Sequence, residues 1–155
     1  MSTMTEPVLK IVRVFDAKPE QLFDAWLVKD QWGAWIGPEG GHCDILAFDP
    51  RVGGRYHLMM HLSGREIPVE GIFKVIDRPS PGKIGRFSFT WGWALGGHGD
   101  TLVSVSLKDL GGKTELTLIH EGLPTADDRE GHGKGWNSTL NKLEGYLKTP
   151  SGLRT

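Results

Sequence analysis

A chain of 155 residues is the size of one ordinary domain, and at that length roughly two-thirds of the unfolded surface can be buried, so a single domain with an ordered core over about 8–148 is expected. Charged residues make up 24% and apolar ones 38%, which excludes a disordered or membrane-spanning chain by composition. Eighteen basic residues against 19 acidic ones leave a formal charge of −1, too little field to gather DNA, RNA or anionic lipid, so neither nucleic acid nor membrane is an expected partner.

The alternating, β-branched run Leu9 to Phe15 reads as an opening strand. Asp16 or Lys18 then caps a helix with Pro19 at its first position and Glu20 in its first turn, and Leu22, Phe23, Trp26 and Leu27 form its core stripe. A second short helix is expected over Lys29 to Trp35, ended by Gly37-Pro38-Glu39-Gly40-Gly41. Six strands follow, near His42–Phe48, Arg55–Leu62, Pro68–Ile76, Lys83–Trp91, Thr101–Leu107 and Thr114–His120. The turns between them are short and rich in Gly and Pro, which implies an antiparallel meander, since parallel neighbours need long crossovers. Gly122 to Gly133 reads as a polar loop, and Trp136, Leu140, Leu143 and Leu147 mark a final amphipathic helix before a frayed tail. The expected fold class is therefore α+β: a curved antiparallel sheet closed over one long C-terminal helix, with two short helices after the first strand.

Cys43 is the only cysteine, so no intrachain disulfide can form and a reducing, cytoplasmic setting is expected. The polar N-terminus lacks the apolar core of a signal peptide, and no apolar run approaches the roughly 18 residues of a membrane span.

The order of elements resembles the helix-grip fold of the START/Bet-v-1-like superfamily. Within it, Ala25-Trp26-Leu27 and Trp32-Gly33-Ala34-Trp35-Ile36-Gly37-Pro38-Glu39-Gly40 resemble the tryptophan and Gly-Pro segment of the activator of heat-shock protein 90 ATPase homologue 1-like family. Arg51-Val52-Gly53-Gly54-Arg55-Tyr56 resembles that family's Gly-Gly entry into the third strand. The stretch from Thr114 to Leu123 resembles its last strand, and Gly135-Trp136 with the spaced leucines resembles its final helix. The resemblance runs from about Val8 to Leu147. It implies a mostly bacterial group whose molecular role is often unassigned. The eukaryotic co-chaperone that names the family has an additional N-terminal chaperone-binding domain, for which a first strand at residue 8 leaves no room, so chaperone activation is not expected.

A curved sheet facing one helix leaves a space in which an apolar ligand can be desolvated. Strand parity points Tyr56, Leu58 and Met60, then Phe87, Phe89 and Trp91, Val103 and Val105, and Leu116, Leu118 and His120 inward, toward Trp136, Leu140 and Leu143 of the helix. Parity is ambiguous on the fourth strand, where Val69, Gly71, Phe73 and Val75 compete with Ile72, Lys74 and Ile76. The candidate ligand contacts are thus Trp35, Tyr56, Leu58, Met60, Phe87, Phe89, Trp91, His120, Trp136, Leu140 and Leu143, with Trp35 and Trp91 placed to stack on planar ligands at the mouth. His120 and Tyr56 are the candidate acid or base groups, because a polar side chain on an inward face must find a partner. The loop Gly92 to Gly99, with Trp93, Gly96, Gly97 and His98, is expected to form a lip, and the segment Trp32 to Gly41 to share control of entry.

No metal and no cofactor are expected. His57 and His61 share a strand face but stand roughly 13 Å apart as i and i+4, and the carboxylates and cysteines that complete usual sites are not expected to be placed near them or near His42, His98 and His132. Cys43 has no evident base and there is no Gly-x-Ser-x-Gly elbow. Three readings stay open: a binding protein for a small hydrophobic or aromatic molecule, a cyclase- or hydrolase-like enzyme on the same cavity, and a chaperone-interacting module. A homodimer through exposed tryptophans is compatible with each.

Overall fold

The computed structural model describes residues 8–37, 39–93 and 101–149. In chain order these form β1 (Leu9–Phe15), α1 (Pro19–Leu27), α2 (Lys29–Trp35), β2 (His42–Phe48), β3 (Arg55–Leu62), β4 (Arg65–Asp77), β5 (Gly85–Trp93), β6 (Thr101–Asp109), β7 (Thr114–Glu121) and α3 (Ala126–Leu147). All seven strands join one sheet in the order β1-β7-β6-β5-β4-β3-β2, with every neighbouring pair antiparallel. The meander from β2 to β7 is closed by β1, which pairs with β7 from Leu9↔His120 to Phe15↔Thr114. This is the helix-grip arrangement: the sheet curves around α3, and α1 and α2 plug one end.

Local chemistry explains the boundaries. Pro19 opens α1 where its missing N–H costs nothing, and the Gln21 side chain accepts the backbone N–H of Lys18, the N-cap, at 2.9 Å. Ser63 and Gly64, both at positive φ (53° and 74°), make the two-residue turn between β3 and β4, so β4 begins at Arg65 rather than at Pro68. The inward faces of β3, β5, β6 and β7 supply one continuous core with Phe23 and Trp26 of α1, Trp32 and Trp35 of α2, and Trp136, Leu140 and Leu143 of α3.

Two sequence expectations change. The parity of β4 is ambiguous because both readings hold, each on one side of a bulge. Val69 and Phe73 are buried, the pairing register with β5 then shifts between Phe73 and Val75, and beyond it Val75 is exposed while Ile76 packs on the core. The stretch from Ala126 to Gly133 is helix rather than loop. Thr125 caps it, its side-chain oxygen accepting from the Asp128 N–H at 3.0 Å, and Asp127 and Asp128 suit the dipole of the first turn. Its glycines conceal this in the sequence; Gly133 has a use, since a Cβ there would lie 3.3 Å from Leu9 Cδ1, where the helix passes over β1.

Among the described residues no helix is long and apolar enough to cross a membrane. Residues 94–99 of the expected lip, His98 among them, lie outside the described residues; Gly92 and Trp93 belong to β5.

Candidate functional site

The aromatic residues divide the interior into a filled end and an open one. At the filled end Trp26 meets Trp35 edge-on at 4.8 Å and Phe87 at 5.3 Å, and Trp32 meets Tyr56 at 5.3 Å. Trp35 is wholly buried there and donates its indole N–H to the Ala25 carbonyl at 3.0 Å, so it is a strut between α1 and α2 and not a ring at a cavity mouth. Tyr56 reaches across β4 to give its hydroxyl proton to the Thr90 carbonyl. Gly71 makes that reach possible, because a Cβ on residue 71 would sit 2.7 Å from the Tyr56 ring. Leu58, Phe87, Phe89, Leu140 and Leu143 complete this packed region and do not border the cavity described next.

At the other end a cavity of about 330 Å³ lies between the sheet and the first half of α3. Of the residues singled out in the sequence, Met60, Trp91 and Trp136 line it, and Trp91 and Trp136 meet at 5.1 Å on one wall. Leu62, Ile67, Ile36 and Gly37 supply the rest of the apolar lining. Its polar rim comes from α3: Asp127, Asp128, His132 and Thr139, with Gly131 and Gly135 giving the room. Of these, Asp127, Asp128, Gly131 and His132 are absent from the sequence-based set because Gly122 to Gly133 reads there as a loop, and Gly135 and Thr139 because they lie off the apolar stripe of the final helix. The available signal is the spacing Asp128, His132, Trp136 and Gly131, Gly135, Thr139, two i, i+4 columns following the Thr125 cap.

His120 is saturated rather than poised. The Trp136 indole can only donate, and it gives its N–H to His120 Nδ1 at 3.0 Å; the proton of the neutral ring therefore sits on Nε2, which donates to Thr101 Oγ1 at 2.6 Å. Thr101 in turn donates to the Trp91 carbonyl at 2.8 Å. Burial, and then the neighbouring His132, push the His120 imidazole down to about 3, so it stays neutral near neutral pH and does not serve as the exchanging acid or base the sequence suggests. Its relay instead ties the Trp136 indole to the backbone of Trp91. The histidine at the cavity is His132, half-buried, whose Nδ1 donates to the Asp128 carbonyl at 2.9 Å and whose ring meets His120 edge-on at 5.1 Å.

The entrance segment is fastened to α3. The Glu39 N–H donates to Ser138 Oγ at 2.7 Å, the Asn141 amide donates to the Glu39 carboxylate at 3.2 Å, and Lys142 Nζ donates to the Gly41 carbonyl at 3.1 Å. Beneath it Cys43 is buried, and burial pushes its thiol up to about 11, as for an inert core cysteine.

The model of the activator of Hsp90 ATPase homolog 1-like proteins matches residues 16–148. The chain belongs to this family. Among solved structures, a protein from Chromobacterium violaceum is 26% identical with a TM-score of 0.82, over 92% of this chain and 97% of that one. The AHSA1 protein from Silicibacter pomeroyi is 28% identical with a TM-score of 0.76, over 91% and 97%. CalU16 from Micromonospora echinospora shares the fold at 21% identity and a TM-score of 0.67, over 95% and 79%. No protein of curated function matches the sequence. The family fold is that of Bet v 1-like proteins, generally ligand binders.

Proposed function

We propose that this protein binds a small hydrophobic or aromatic molecule in the cavity beneath α3. The observation that carries the reading is the cavity's composition: two tryptophans, Met60, Leu62 and Ile67 form its walls, and among the described residues its carboxylates, Asp127 and Asp128, stand together on α3 beside His132. A volume of about 330 Å³ suits a molecule of one or two rings. Burial of apolar surface at ~25 cal/mol per Å² supports affinity on the order of micromolar. The two carboxylates favour a ligand that ends in a hydrogen-bond donor or a cation over one that ends in a carboxylate. Binding without turnover is the expected behaviour, since His120 and Tyr56 are each committed to structural hydrogen bonds. The single buried cysteine agrees with a reducing, cytoplasmic setting.

Native mass spectrometry of the purified protein tests this, with Gly135→Leu as the cavity-filling control. A reproducible small apolar adduct on the wild type, absent from Gly135→Leu, is expected, together with thermal shifts for aromatic amines that exceed those for the matching carboxylates. A clean apo mass with no shift across a panel of hydrophobic compounds overturns the reading.

A further inference from the structure

We propose that the outer face of the sheet carries a transition-metal site, built from His42, Asp44 and His61 and supported by Glu66. Along a strand, alternation keeps histidines at i and i+4 too far apart to share an ion, but pairing between strands does the opposite. Antiparallel β2 and β3 set His42 directly opposite His61, and the two rings stack at 4.5 Å with an interplanar angle of 15°. Asp44, two residues along β2 on the same face, brings Oδ2 to 2.8 Å from His61 Nε2. One donor atom from each of the three side chains falls within 4.8 Å of the other two. Tetrahedral coordination at ~2.0–2.1 Å needs donors about 3.4 Å apart, so rotation of side chains closes the set without moving a strand.

The donor types point to the metal class. Two imidazole nitrogens and one carboxylate oxygen suit zinc or a similar borderline cation, and solvent can supply a fourth ligand because His42 and Asp44 are exposed. On β4, Glu66 pairs with His61 in register and places its carboxylate 3.6 Å from His61 Nδ1. A carboxylate behind the non-ligating nitrogen fixes the ring's orientation and strengthens the other nitrogen as a donor. The site is distinct from the cavity. Met60 and Leu62, the neighbours of His61 in sequence, line that cavity, and Cys43, between His42 and Asp44, is buried.

The test is titration of zinc chloride into the untagged, full-length protein, read by calorimetry and by the imidazole proton resonances. Saturable binding of one equivalent is expected, with the resonances of His42 and His61 moving and those of His57 and His132 fixed. His42→Gln and His61→Gln should each weaken binding about tenfold or more, and Glu66→Gln by a smaller factor; His57→Gln should leave it unchanged. His42 is exposed on an edge strand, so its variant keeps the fold, which thermal unfolding verifies. Absence of saturable binding up to about 1 mM zinc, resonance changes confined to other histidines, or unaltered affinity in His42→Gln and His61→Gln would each overturn the proposal.

Discussion

The two ends of the grip share a sheet and a helix, yet one is solid and the other hollow. The β5 rings run through both: Phe87 and Phe89 meet Trp26 of α1, whereas Trp91, two residues on, meets Trp136 and borders the cavity. What differs is the opposing layer. α1 and α2 bring three tryptophans and Phe23 to the solid end, while the first turns of α3 bring Gly131, Gly135 and Thr139 to the hollow one. Cavity position in this fold therefore follows from side-chain volume on the helices, and the sheet sets only the shell.

The largest expected effect lies at the solid end. Trp32→Ala should cost about 3–5 kcal/mol in urea unfolding, since it deletes a ring packed on Phe48, Tyr56 and Phe89 and leaves a void. Ile67→Ala, at the wall of a space that already exists, should cost under about 2 kcal/mol, because the site is only half-buried and the void term is largely present beforehand. Equal losses would break the contrast between the two ends.

A second comparison sets His120 against the open rim. His120→Asn leaves the Trp136 indole and the Thr101 hydroxyl short of partners in a buried place, at a cost of about 2–3 kcal/mol at pH 7. The pH dependence has a definite sign. The folded-state value of about 3 lies below the unfolded value of 6.5, so the unfolded chain binds one more proton between them, and the contribution of His120 is full above 6.5 and erodes as pH falls toward 3. At about 1.4 kcal/mol per unit, the wild-type advantage over His120→Asn should shrink by roughly 2 kcal/mol between pH 7 and pH 5. Chemical denaturation of both proteins at the two pH values measures it, and a difference that stays constant would mean that His120 is not held neutral.

Much of the shell was legible in the sequence, because alternation in β1, β3, β5, β6 and β7 and the stripe on α1 are local signals of period 2 and 3.6. The site was legible in part. Met60 and Trp91 follow from strand parity and Trp136 from the helical stripe, but neither pattern can tell a cavity wall from packed core, and Tyr56, Leu58, Phe87 and Phe89 on the strands, like Trp35, Leu140 and Leu143 on the helices, read the same way. Asp127, Asp128, Gly131 and His132 were hidden for a different reason: glycine and aspartate are poor helix formers, so propensity reads a loop where the Thr125 cap and the packing of α3 on the sheet enforce helix. The His42–His61 pair was invisible for a third, since register between strands is not a property of either strand alone.

The smallest expected effect sharpens the contrast most, because its sign opposes the others. Gly131 and Gly135 sit inside α3, where glycine costs about 0.5–1 kcal/mol relative to alanine. A Cβ on either would meet nothing within 4 Å, unlike one on Gly133, which would press on Leu9. Gly135→Ala should therefore raise the unfolding midpoint by about 1–4 °C, and Gly131→Ala should do the same. If the glycines exist to keep space for a ligand, the Gly135 gain in stability should come with a smaller ligand-induced thermal shift, since the new methyl group projects into the cavity. A gain in stability from alanine at these two positions would mean that α3 keeps volume beside the pocket at the expense of helix propensity, and loss of stability in Gly135→Ala would show instead that the space is already filled by closer packing of α3.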